Sequence, residues 1–117
     1  MTTKPSVLSD ACGSRAVLDR IADKWTALII RVLSEGSKRH GELQREIPGV
    51  SQKMLTQTLR SLEADGLVAR KVYAVVPPKV EYSLTPLGQS LIEPLNAICL
   101  WAEQHLHELE NARSQNQ

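Results

Sequence analysis

The chain has 117 residues, 42% of them hydrophobic and 23% charged, with a formal net charge of +1, enough for one domain around a single modest core. No apolar run approaches the ~20 residues that span a bilayer, and Met1-Thr2-Thr3-Lys4-Pro5 does not open a signal peptide, so a cytoplasmic protein with no membrane partner is expected. Two cysteines, Cys12 and Cys99, have neither the number nor the spacing of a disulfide framework or a zinc site.

Residues 1–13 carry Pro, Ser, Thr and Gly without periodicity and read as a flexible arm preceding a domain over 14–117. From Ser14 to Lys24 the apolar residues Val17, Leu18, Ile21 and Ala22 repeat at helical spacing. A second short helix carries Leu28, Ile29, Val32 and Leu33 on one face, with Trp25 as a core anchor at the junction and Glu35-Gly36-Ser37 as the stop. A third helix, from about Arg39 to Glu46, buries Leu43 and Ile47 before Pro48-Gly49 turns the chain.

Ser51 is the expected N-cap of a fourth helix that Gly66 ends. Leu55, Leu59 and Leu62 form its inner stripe, and Lys53, Thr56, Gln57 and Arg60 the opposite one. Third helix, tight turn and fourth helix make a helix-turn-helix unit. Leu67–Tyr73 and Val80–Leu84 alternate as strands around a tip holding Pro77-Pro78, which cannot donate ladder hydrogen bonds. Thr85-Pro86 then starts a last helix expected to run to about residue 111, roughly 40 Å long. Along it Leu91, Leu95, Ile98, Ala102, His105 and Leu109 recur at intervals of four and three, a seam for the same helix of a second subunit, with Pro94 bending it. The other reading is a helix folded back on its own core.

The small net charge hides an asymmetry. Residues 38–79 hold eight basic side chains against four acids, whereas from Pro86 onward there are four acids and one arginine. A basic middle suits phosphate, although uneven surface charge is common. Arg, Lys and Gln are the residues that fork onto base edges in the major groove. Ser51, Gln52, Lys53, Thr56, Gln57 and Arg60 place that chemistry on one helix, and its position between a tight turn and a hairpin raises it above any solvated polar face. Arg70, Lys71 and Lys79 flank the hairpin and suit minor-groove or phosphate contacts, though lysines also protect exposed hairpin edges. No Gly-rich phosphate loop, nucleophile elbow or carboxylate pair with a histidine is present. His105 and His107 diverge on a helix, so neither an enzyme, a metal nor a cofactor is expected.

The segments Val17–Trp25, Gly41-Glu42-Leu43, Pro48–Thr56, Leu62–Arg70, Val76–Gly88 and Trp101-Ala102 resemble, in order, the HxlR-type (DUF24) winged-helix regulators of bacteria. The resemblance implies a mainly α fold with a β-hairpin wing, and a homodimer formed through the first and last helices. It implies that the Ser51–Arg60 helix reads the major groove of an inverted-repeat operator, with Arg39 at the mouth of the third helix and the 70–79 hairpin as wing. Two residues depart from the pattern. His40 stands where an aromatic is usual, so a local loosening or pH response is weighed against simple tolerance. Cys12 is followed by Gly13 instead of proline. Some members of the family sense oxidants or electrophiles through that cysteine, making Cys12 a candidate redox switch, while Cys99 is expected to pack. The alternatives are the same fold sensing a small organic ligand at the dimer interface, and a protein-interaction module whose basic face binds an acidic partner.

Overall fold

The computed structural model describes residues 13–116; Cys12 and the rest of the arm before Gly13 lie outside the described residues. The order of elements is α1 (Gly13–Ile21), α2 (Lys24–Leu33), α3 (His40–Glu46), α4 (Gln52–Ala64), β1 (Val68–Tyr73), β2 (Lys79–Leu84), α5 (Pro86–Gln89), α6 (Ile92–Gln104) and α7 (Leu106–Gln115). The first helix ends earlier than its apolar spacing predicts. Asp23 adopts extended backbone and accepts hydrogen bonds from the N–H groups of Trp25 and Thr26, a local N-cap that opens a new helix. Buried Thr26 donates its hydroxyl to the carbonyl of Arg20 and closes the α1–α2 corner.

The core lies between α2, α3, α4 and the start of β1. Ile29 and Leu33 of α2, Leu43 and Ile47 around α3, and Leu55, Leu59 and Leu62 of α4 are all buried in it. Trp25 packs partly buried against this cluster. Ser51 caps α4 by accepting the N–H of Met54 at 3.1 Å. Gly49, at φ +88°, makes the turn between α3 and α4, and Gly66, at φ +74°, closes α4; both occupy backbone that side chains with a Cβ rarely adopt.

The hairpin pairs Val68 with Leu84, Arg70 with Tyr82 and Val72 with Val80 on one face, and Lys71 with Glu81 and Tyr73 with Lys79 on the other. A feature with no local sequence signal extends it. Lys38, just before α3, exchanges backbone hydrogen bonds with Tyr82 at 2.9 and 2.8 Å, tying the hairpin to the helix-turn-helix. Thr85 then caps α5, with Pro86 in its first turn. Gly88 passes so close to the residue before β1 that a Cβ there would collide with the carbonyl oxygen of Leu67.

The long last helix expected over 85–111 is divided into three. The chain leaves α5 at Ser90, where Leu91 bonds back to Gly88 in a tighter turn. Pro94 then falls in the first turn of α6 and does not bend a helix from within, because N–H groups there have no intrahelical partner to lose. A second interruption comes at His105, whose backbone N–H and ring Nδ1 both donate to the carbonyl of Trp101 while the two rings stack. The apolar seam is thereby split. Leu91 packs against the core, and Leu95 lies over α2 beside Ala27 and Ile30 with half-buried Cys99. Ile98 is 64% exposed, and Trp101, Leu106 and Leu109 also stand in solvent, as do Val17 and Leu18 of α1. Among the described residues no helix is long and apolar enough to cross a membrane.

Candidate nucleic-acid interface

The leucine stripe of α4 faces inward, and because each residue turns the helix by about 100°, Lys53, Gln57 and Arg60 fall together on the outward side. All three are exposed, as are Ser51 and Gln52 at the amino end. Lys53 and Arg60 make no ion pair among the described residues, leaving two long cations and a Gln free to reach out. Thr56 is turned to the flank of α4 and half buried, and its hydroxyl lies 3.0 Å from Nε2 of His40. His40, at the start of α3, thus holds Thr56 through a ring nitrogen, a contact that a phenyl ring could not make. Arg39 is exposed beside it, its backbone N–H bound to Glu42.

The hairpin separates the three basic residues predicted for it. Arg70 shares a face with Tyr82, and its Nε lies 3.7 Å from Glu63 at the end of α4. Lys71 and Lys79 share the other face, each with its ammonium over the ring of Tyr73 at 4.8 and 4.9 Å. Lys79 also pairs with Glu81 at 2.8 Å. That hydrogen bond holds the Glu81 carboxyl below the ordinary carboxylate range, helped by Tyr73 and Ser37. Lys71 has no carboxylate partner among the described residues and is the freer of the two charges.

Lys38 and Glu81 are the participants that sequence reasoning did not single out. Lys38 pairs with Glu46 at 3.2 Å, and the hydrogen bond to that carboxylate raises its pKa. Eight residues separate the partners, so no helical spacing announces them. Around one core the fold presents an exposed helix face with two cations unpaired among the described residues and a lysine-bearing hairpin, the inventory needed to hold phosphates and present hydrogen-bonding groups to base edges.

A model of the HxlR-like helix-turn-helix matches residues 20–110. The HTH-type transcriptional regulator YtfH of Escherichia coli strain K12 is 44% identical over 110 residues, covering 94% of this chain and 87% of that protein. The structure of the transcriptional regulator YtfH from Salmonella typhimurium superposes with a TM-score of 0.86 at 40% identity, covering 95% of this chain and 99% of that one. The redox regulator HypR in its reduced form superposes at 0.78 with 42% identity, covering 86% and 99%. The chain belongs to the HxlR-like helix-turn-helix family of transcriptional regulators.

Proposed function

We propose that the protein is a homodimeric, cytoplasmic regulator that binds an inverted-repeat operator in double-stranded DNA, reading the major groove through α4 and gripping beside it with the hairpin. The observation that carries this is the outward stripe of α4, where Lys53, Gln57 and Arg60 stand exposed and the two cations lack partners among the described residues. Exposed apolar side chains on α1 and on α6–α7 support dimerisation through the first and last helices, because such faces are costly to leave in water. A mobility shift on the DNA upstream of the chain's own gene, titrated with salt, tests the reading. Specific binding is both salt-dependent and sequence-selective, whereas a basic face built for an acidic protein would not prefer one DNA sequence over another.

For the signal, similarity to the redox regulator HypR supports an oxidant or electrophile acting through Cys12. A thiol becomes reactive when it is accessible and partly ionised. Mild oxidant or a quinone is expected to change operator affinity reversibly in the wild type and not in Cys12→Ser; equal responses would remove Cys12 from the reading. One observation favours a second kind of effector. An apolar cleft of about 260 Å³ lies between α1, the end of α4 and α5, lined by Val17, Ile21, Leu67, Leu87 and Leu91, with the Arg20–Asp65 ion pair beside it. A small organic ligand seated there would shift operator affinity in Cys12→Ser as well as in the wild type.

A further inference from the structure

The hairpin turns through Ala74-Val75-Val76-Pro77-Pro78, five residues with no charge and no side chain able to hydrogen-bond. Val76 is 99% exposed and Val75 52%, and Val72 on the adjoining strand is exposed too. Donors are scarce on the main chain as well. The two prolines have no N–H, and the N–H of Val75 is already given to the carbonyl of Tyr73. The cations are set back from this tip, where Lys71 and Lys79 lie over the Tyr73 ring. The wing therefore carries an apolar point in front of a positively charged base.

We propose that this tip is a specificity-determining contact, which seats Val75 and Val76 in the minor groove beside the major groove held by α4 and selects A·T pairs there by exclusion. The proposal rests on the DNA-binding reading above. In the minor groove both kinds of base pair present acceptors, and these cancel in a comparison; a G·C pair adds the guanine 2-amino donor, which protrudes from the groove floor. The Val76 isopropyl group offers that amino group no acceptor, and where it displaces the water there the donor is left unsatisfied, which is expensive. An A·T floor offers no such obstacle. Its narrower groove also carries a more negative potential, suited to Lys71 and Lys79 standing behind the tip. Recognition of this kind needs no hydrogen bond from the protein to a base, consistent with a tip whose side chains have none to give.

The test uses the full chain and a fragment of its own upstream DNA, on which footprinting locates the minor-groove pairs the wing covers. Those pairs are remade as A·T, G·C or inosine·C, the last keeping a G·C-like major groove while lacking the 2-amino group. Wild-type protein is expected to bind the A·T and inosine forms alike and the G·C form about fivefold more weakly for each pair changed, the lower end of the usual cost of a wrong base pair. Val76→Asn, which supplies an acceptor at an exposed position, should narrow that gap while leaving the preference at the α4 half-site intact. Equal binding of the three DNAs by the wild type overturns the proposal and leaves the α4 reading standing. A G·C penalty unchanged in Val76→Asn also overturns it, by placing the discrimination in DNA shape. Absence of binding to every fragment overturns the DNA reading and the tip contact together.

Discussion

Lys53 and Arg60 are alike in exposure and in lacking an ion pair among the described residues, yet they need not do the same work. If a side chain reads a base, its replacement by alanine costs ~1–3 kcal/mol and relaxes preference at one position; a phosphate contact weakens all sequences alike and lowers the salt slope by about one. Lys53→Ala and Arg60→Ala are both expected to weaken operator binding with unchanged thermal unfolding, and a mobility-shift series at several salt concentrations assigns each role. Glu81 works in the opposite direction by occupying Lys79. Glu81→Gln should raise affinity for all DNA and steepen its salt dependence, because one more cation becomes available to phosphate. The same residue has an acid signature. Its carboxyl titrates lower in the folded protein than in the unfolded chain, so its contribution to stability is complete above the ordinary carboxylate range and is lost as pH falls through the folded value. The stability difference between wild type and Glu81→Gln, followed by thermal unfolding against pH, should shrink over that acid window and no other.

The elements whose signals are local were legible in the sequence. Ser51 and Gly66 delimit α4, Thr85-Pro86 starts α5, and the two-residue alternation of the hairpin matches its register, because caps, glycine stops and pleats act within a few residues. Ser51→Ala should cost about 0.5–2 kcal/mol in urea unfolding and weaken DNA binding with it, since the amino end of the exposed stripe would fray. What was not legible depends on competition between signals. Val17, Leu18, Ile21 and Ala22 repeat at helical spacing right up to Asp23, but two backbone N–H groups bound to its carboxylate start a new helix. The seam from Leu91 to Leu109 has a coiled-coil period, but Pro94 is accommodated by starting α6 just before it, and the ring of His105 competes for the carbonyl of Trp101. The pairing of His40 with Thr56 spans sixteen residues and is visible only once α3 and α4 are packed.

At the scale of the whole molecule, basic and exposed apolar side chains are unevenly distributed. The basic side chains are densest between Lys38 and Lys79, and large apolar side chains stand exposed on α1 and on α6–α7 as well as at the hairpin tip. The split seam gives the proposed dimer a sharper test than periodicity alone allows. Ile98→Glu places a charge on an exposed apolar face and should shift sedimentation toward monomer with little change in protomer unfolding, and operator affinity should fall because two half-sites are no longer held together. Leu95→Glu should instead destabilise the protomer, because Leu95 lies over α2, and an uncompensated charge in a packed crevice costs several kcal/mol. Identical behaviour of the two variants would show that the division between the inner and outer parts of α6 does not govern assembly.

Because Lys38 and Tyr82 exchange two backbone hydrogen bonds, the wing cannot swing away from α3 without breaking both. Helix face and hairpin form one jaw with no wrist in it. In the proposed dimer, two such jaws joined at their backs would act as a caliper whose opening sets the distance between the two helix faces. A signal received at the joint need not disturb any side chain that touches DNA. With half-sites about 34 Å apart, a small change in that opening would put both jaws out of step with the duplex at once.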